Sequence, residues 1–276
     1  MEESKMARNW KFDPQEQIDY TIEWIKKYFV RNAGPDTKAI IGISGGKDST
    51  IAAALLVRAL GKDRVVGVMM PNGSQSDIDD SKAVCEILGI ENYLIDIGDS
   101  LATLYNRLLS VAPDTENPLP DVVTTNTPAR MRMATLYAVA GIVGGRVVNT
   151  GNWSEGWIGY TTKYGDLAGD FHLFQDLTVR EVLMMGRVMK EIPRRLVDKA
   201  PADGMTGQTD EDNMGVTYEQ IDSYLLEDII PDVDTWRNMS QRHERNEHKK
   251  CINLPGPFAH GRHYEKGKHG GVFEVF

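Results

Sequence analysis

Ser44-Gly45-Gly46-Lys47-Asp48-Ser49 limits the fold most, because it lies between an apolar run at 39–43 and an apolar helical pattern at 49–60 closed by Gly61. A strand that hands over to a helix through such a turn gathers backbone amides and the positive end of the helix dipole at one point, which favours an anion. Two adjacent glycines let a ligand approach the backbone, and Ser44, Ser49 and Thr50 add hydroxyl donors. Asp48 beside phosphate makes sense when a divalent cation bridges the two. A flexible turn with a helix cap would explain the glycines and serines but not Asp48. The Walker A pattern fails, since Ile41 and Asp48 stand where it needs Gly and Ser or Thr. The dinucleotide fingerprint also fails, with Ile43 and Ser44 between Gly42 and Gly45.

The same alternation continues along the chain. Residues 65–70, 93–97 and 146–149 read as strands, and 77–88 and 100–110 as helices; a further helix is expected from Thr127-Pro128 to about 140. Continuous apolar strands predict an α/β fold, with an open, doubly wound, mostly parallel sheet covered by helices on both faces. Ahead of it, 13–32 opens with Asp-Pro, carries Glu16 three after Asp13 and aligns Ile18, Ile22, Ile25 and Phe29 on one helical face. Residues 151–166, rich in glycine and aromatics, predict a long functional loop. Thr178 with Glu181 and Thr217 with Gln220 mark two later helix starts. A mobile segment is expected at 200–215, and a tail ordered by docking from 251. The whole is read as one domain: a helix at 1–34, a core at 35–250 and the tail at 251–276.

Lysine and arginine total 31 against 40 acidic residues, a formal net charge of -9, which disfavours a surface that wraps nucleic acid. No apolar run approaches the ~18 residues of a membrane span and the first residues are polar, so neither membrane partner nor signal peptide is expected and the protein is read as cytoplasmic. Cys85 and Cys251 suggest neither disulfide nor metal site. His260, His263 and His269 lack supporting ligand spacing and are read as surface residues.

Ser-Gly-Gly-x-Asp-Ser after a first strand resembles the pyrophosphate loop of the ATP pyrophosphatase superfamily, whose fold is Rossmann-like, of the adenine nucleotide alpha hydrolase type. The resemblance implies cleavage of ATP between the α and β phosphates to adenylate an acceptor. Asn126-Thr-Pro-Ala-Arg-Met-Arg132, the stretch 150–170, Gly207-Gln-Thr-Asp-Glu211, Gly215-Val-Thr-Tyr-Glu-Gln-Ile-Asp222 and His248-Lys249 resemble the ammonia-dependent NAD synthetases. That family amidates deamido-NAD with ammonia and ATP through an adenylated nicotinate, releasing AMP and pyrophosphate.

Carried over by position, the resemblance implies ATP contacts at Gly42, Ile43, Ser44, Gly45, Gly46, Lys47, Asp48, Ser49 and Thr150. It implies Mg2+ on Asp48 and Glu155, and deamido-NAD contacts at Arg130, Lys163, Asp170, His248 and Lys249, with Asp48 and Asp170 catalytic; Tyr160, one of four aromatic residues interleaved with polar ones at 153–164, is the candidate to stack on the nicotinate ring. Cationic partners suit a ligand bearing a pyrophosphate and a carboxylate. Arg130 and Arg132 also fit a solvated helix face, and Trp153, Trp157, Tyr160 and Tyr164 fit a core as well as a base-stacking site. Two positions depart from the family: Val179 stands where many members have lysine and Pro201 where a hydroxyl residue is common, with Arg180 or Lys199 as possible substitutes. The resemblance further implies a homodimer. A glutamine-using form would need an added amidotransferase domain, so free ammonia or a separate donor subunit is expected. Rival readings are another ligase on the same loop and a nucleotide-binding module without chemistry.

Overall fold

The computed structural model describes residues 10–73, 78–111, 119–199 and 209–249. Five parallel strands form one sheet in the order β3-β2-β1-β4-β5: β1 (Lys38–Gly42), β2 (Val65–Met69), β3 (Glu91–Leu94), β4 (Gly145–Asn152) and β5 (Phe171–Phe174). Sequence order reverses between β1 and β4, and a crevice opens at such a switch point beyond the carboxyl ends of the strands.

The period-2 alternation of the strands sorts two cores. Ala39 and Ile41 of β1, Val65 and Met69 of β2 and Val148 of β4 pack with α1 (Pro14–Asn32), α2 (Lys47–Leu60), α3 (Ile78–Leu88), α7 (Val179–Val188) and α8 (Arg194–Val197). Ile40, Val66, Val68 and Val147 point the other way, toward α4 (Gly98–Val111) and α5 (Asp121–Val143). Helices thus cover both faces, as the apolar strands predict. Each fully buried isoleucine or leucine stabilises this packing by roughly 2 kcal/mol.

A third apolar cluster lies beyond the strand ends, where α6 (Trp153–Ile158) packs on α10 (Tyr218–Glu227) and α11 (Val233–Arg245), with Met214 of α9 (Asp210–Met214). Trp153 and Trp157 belong to it at 8% and 7% exposure, so the core reading of those tryptophans is the one realised. Trp157 stacks on His243 at 4.4 Å between ring centroids.

α1 begins as expected, with the Asp13 carboxylate accepting from the Gln15 and Glu16 amides and Pro14 in the first turn. Its Trp24, Tyr28 and Phe29 rings surround Phe171 of β5 at 4.7 to 6.4 Å. Three local expectations are corrected. α5 starts at Asp121, after Pro120, and carries Pro128 inside it, so Thr127-Pro128 is not its start; the helix forgoes one backbone bond there. β3 ends at Leu94, although the Ile95 and Ile97 amides still donate to Met69 and Pro71 carbonyls at 2.9 Å each. The stretch 151–166 is not all loop, because β4 runs to Asn152 and α6 follows at once. Of the segment 200–215, residues 210–214 form α9 on a Thr209 cap, while 200–208, and with them Pro201, fall outside the described residues, as do Cys251 and the tail histidines.

Candidate functional site

The turn after β1 is a cradle held by its own hydroxyls. Gly46 caps α2 without using a side chain, so the first amides of that helix stay available to a ligand. Ser44 and Ser49 share a hydroxyl hydrogen bond of 3.0 Å, the Gly46 amide donates to Ser44 Oγ at 3.2 Å, and Thr50 Oγ1 donates to the Gly46 carbonyl at 2.7 Å. Gly45 has φ +75°, and a Cβ there would meet Asp80 Cβ at 2.9 Å and the Ser81 amide at 3.0 Å. Only glycine fits both the angle and the close approach of α3.

A cavity of about 420 Å³ opens on this cradle. Gly42, Ile43, Ser44, Gly46, Lys47, Asp48, Ser49, Thr150 and Glu155 line it, so the expected ATP and metal residues converge on one space at the β1/β4 switch point. Gly45 supports the turn from behind. Lys199 also lines the cavity and donates to Asp80 at 2.9 Å, whereas Arg180 is tied to Glu219, Glu227 and Ser223. Of the two substitutes for the missing family lysine, Lys199 therefore reaches this cavity. Val179 is buried and lines a neighbouring cavity of about 370 Å³.

Asn152 joins the two carboxylates. Its side-chain oxygen accepts from the Glu155 amide at 3.0 Å while Glu155 Oε2 accepts from the Asn152 amide at 3.1 Å, a capping box at the start of α6; its amide nitrogen reaches Asp48 Oδ1 at 3.5 Å. Desolvation and the facing Asp48 charge push Glu155 up to about 8. Two carboxylates set against one another are a donor set suited to a hard divalent cation, which would restore the ionised form of both. Among the described residues no group of three His, Cys, Asp or Glu side chains makes a ready cage. Oxygens of phosphate or water would have to complete the shell. Asp210 and Tyr218 close this region, Tyr218 Oη donating to Asp210 Oδ2 at 3.3 Å, and burial raises the Tyr218 phenol well above its ordinary value.

His172 of β5 holds the end of β4, with Nε2 2.7 Å from the Gly151 carbonyl; burial lowers its pKa to about 4, so the ring is neutral and donates. Asp222 fastens α6 to α7, accepting from Ser154 Oγ and from the Arg180 amide at 2.7 Å. The same burial raises Asp222 to about 7.

Of the expected dinucleotide contacts, none lines this cavity, and Arg130, Lys163, His248 and Lys249 form a second group. Arg130 Nε donates to the Lys163 carbonyl at 3.2 Å, Lys163 Nζ donates to the His248 carbonyl at 2.6 Å, and Lys249 Nζ donates to the Gly159 and Thr161 carbonyls at 2.8 and 2.6 Å. Residues far apart in sequence are thus brought together around 159–163. Gly159, at φ +74°, lies under Asn246, which leaves no room for a Cβ. Tyr160 is only partly buried; it packs on the third apolar cluster and accepts from Asn213 Nδ2 at 3.3 Å. Asp170 sits apart from the cavity lining: its carboxylate accepts from the Val147 amide at 2.7 Å and its carbonyl from Tyr28 Oη at 3.1 Å.

Asn152, Asp210 and Arg132 stand at the site although the sequence assigned them no contact. The first was signalled by Asn-x-x-Glu, a capping box hidden among glycines and tryptophans. Asp210 lies in the 207–211 motif and inside the Thr209-x-x-Asp212 box. Arg132, which lines the cavity and donates to the Met70 carbonyl at 3.0 Å, closes the 126–132 motif, where its charge also fits a solvated helix face.

A family model described as NAD synthase matches residues 17–253. The chain is 42% identical over 190 residues to the NH(3)-dependent NAD(+) synthetase of Methanococcoides burtonii, covering 68% of this chain and 70% of that one. It is 35% identical to the enzyme of the same name from Alkaliphilus oremlandii, covering 88% and 97%. Among solved structures, NMN synthetase from Francisella tularensis superposes with a TM-score of 0.79 at 31% identity, covering 90% of this chain and all of that one. NAD+ synthetase from Burkholderia pseudomallei follows with a TM-score of 0.70 at 27% identity over 88% and 91%.

Proposed function

The chain belongs to the NAD synthase family, and from that premise we propose that the cavity over the 44–49 turn is where it joins ammonia to deamido-NAD at the expense of ATP. The enzyme is an AMP-forming carbon–nitrogen ligase that makes NAD. The observation that carries the location is the convergence of the 42–49 backbone, Thr150, Asp48 and Glu155 on one cavity at the switch point of the sheet.

In the first step a nicotinate oxygen bonds to the α phosphorus of ATP and the bond to the β phosphate breaks, releasing pyrophosphate. The α2 amides, the Ser44 and Ser49 hydroxyls and Lys199 stabilise the charge that gathers on the departing group. In the second step the ammonia nitrogen bonds to the carbonyl carbon, the carbon–oxygen bond to AMP breaks, and ammonia gives up a proton. No enzyme nucleophile is required. Asp48 and Glu155 would hold Mg2+, which when bound would neutralise phosphate charge. Arg130, Lys163, His248 and Lys249 form the basic rim for the dinucleotide. Asp170 acts through the β4 backbone at Val147, keeping the strand that delivers Thr150 in register.

A homodimer fits the exposed apolar side chains Leu104, Leu108 and Val111 on α4 and Val122, Tyr137 and Ile142 on α5. Among the described residues no helix is long and apolar enough to cross a membrane; a cytoplasmic site of action is the reading that suits ATP as co-substrate.

The test is product analysis with ATP, Mg2+, ammonium and deamido-NAD, each omitted in turn. NAD, AMP and pyrophosphate in equal amounts are expected. Because the Francisella protein is named for a mononucleotide product, the assay should offer the deamidated mononucleotide in competition; preference for it would move the acceptor without moving the chemistry.

A further inference from the structure

Lys47 has an unusual position. It is the first residue of α2, directly after the glycines of the cradle, yet its side chain is only 4% exposed. A buried ammonium needs anionic partners to offset its lost hydration. Lys47 Nζ finds the first in Asp48 Oδ2 at 2.7 Å, and Asp210, with Glu155 when it is ionised, adds to the negative charge around it. The Tyr218 ring lies beneath, with its centroid 5.8 Å from Nζ.

The carboxylate that holds the ammonium is thus the same one that reads as a metal ligand. A divalent cation on Asp48 would face a positive charge already bonded to that group, with little water between to screen it. Lys47 also lines both the main cavity and the neighbouring one. A four-carbon stem at the helix start can turn its ammonium toward phosphates in the cradle without moving the backbone.

We propose that the Lys47 ammonium competes with a divalent cation for the Asp48 carboxylate, and that ATP relieves the competition by giving the ammonium phosphate oxygens instead. Lys47 is then a positioning residue that couples metal entry to nucleotide entry: the cation binds weakly before ATP and tightly with it. This rests on reading the cradle and carboxylates as the ATP and metal site.

Two titrations on the purified full chain test it. Free Mn2+, followed by electron paramagnetic resonance in the absence of nucleotide, should bind at least 10-fold more tightly to Lys47→Met than to the unmodified protein, with Lys47→Gln behaving alike and Lys47→Arg remaining weak. ATP in excess chelator, followed by calorimetry, should bind at least 10-fold more weakly to Lys47→Met. Opposite signs for metal and nucleotide would not arise from a merely loosened loop. Mn2+ affinity unchanged or lowered in both uncharged variants overturns the proposal. Failure of the unmodified protein to bind ATP at all would instead overturn the phosphate reading of the cradle.

Discussion

Asp48 and Glu155 carry opposing demands, because the arrangement that suits a cation is costly without one. In the metal-free protein Glu155 has its folded-state pKa raised from 4.5 to about 8. A carboxyl raised in this way favours the fold below its unfolded value and loses that contribution as pH climbs through the folded one. Glu155→Gln in metal-free protein should therefore melt several degrees above the unmodified enzyme at pH 8 to 9, with the gap closing toward pH 5. Thermal denaturation across that range checks it, and a gap that is independent of pH would contradict the assignment. The same substitution should remove most of the turnover. Asp48→Asn should lower the rate of adenylation roughly 100-fold or more, on the order of 3 kcal/mol of transition-state stabilisation, while leaving deamido-NAD affinity within a few fold. Equilibrium binding beside single-turnover kinetics separates the two effects, and comparable losses in both would assign Asp48 to substrate binding instead.

The elements differ in how openly the sequence announces them, and the difference follows from where their signals lie. The cradle was legible because its glycines, hydroxyls and carboxylate are contiguous and its flanking strand and helix are uniformly apolar. α1, α7 and α10 were legible through their caps at Asp13, Thr178 and Thr217. α6 was hidden because glycine and tryptophan are weak helix formers, and only tertiary packing on α10 and α11 makes six residues helical. The start of α5 was misplaced because Thr-Pro normally opens a helix, while here the helix enters seven residues earlier and tolerates the proline. α11 gave little signal, since Met239 is its one buried side chain. The contacts of Arg130, Lys163 and Lys249 are long-range pairings to backbone carbonyls that no local pattern encodes. The short helix α6 makes its own prediction: Asn152→Ala removes its cap and the link from Glu155 to Asp48, so stability should fall by about 1 kcal/mol. The Mg2+ concentration needed for half-maximal rate should rise several fold. Chemical denaturation and a metal titration measure these, and a stability loss without a metal effect would reduce Asn152 to a cap alone.

At the scale of the molecule, α4 and α5 leave an apolar face whose members recur at helical spacing, as with Leu104, Leu108 and Val111. Sedimentation velocity at micromolar concentration should report a dimer, and Leu108→Lys combined with Ile142→Glu a folded monomer; a monomeric parent protein would contradict the homodimer. The larger architecture explains why the site lies where it does. Parallel strands converge their carboxyl ends on one crevice, β1 delivers the cradle, β4 delivers Thr150, the first turn of α6 delivers Glu155, and the outer helices close the pocket. The proposed reaction in this crevice transfers adenylate to a nicotinate oxygen. The most direct measurement starts from deamido-NAD carrying 18O in its carboxylate and follows the label through a turnover with ATP, Mg2+ and ammonium. NAD is expected in equal amount with AMP that has gained one 18O atom. AMP without label, or ADP and phosphate in its place, would contradict it.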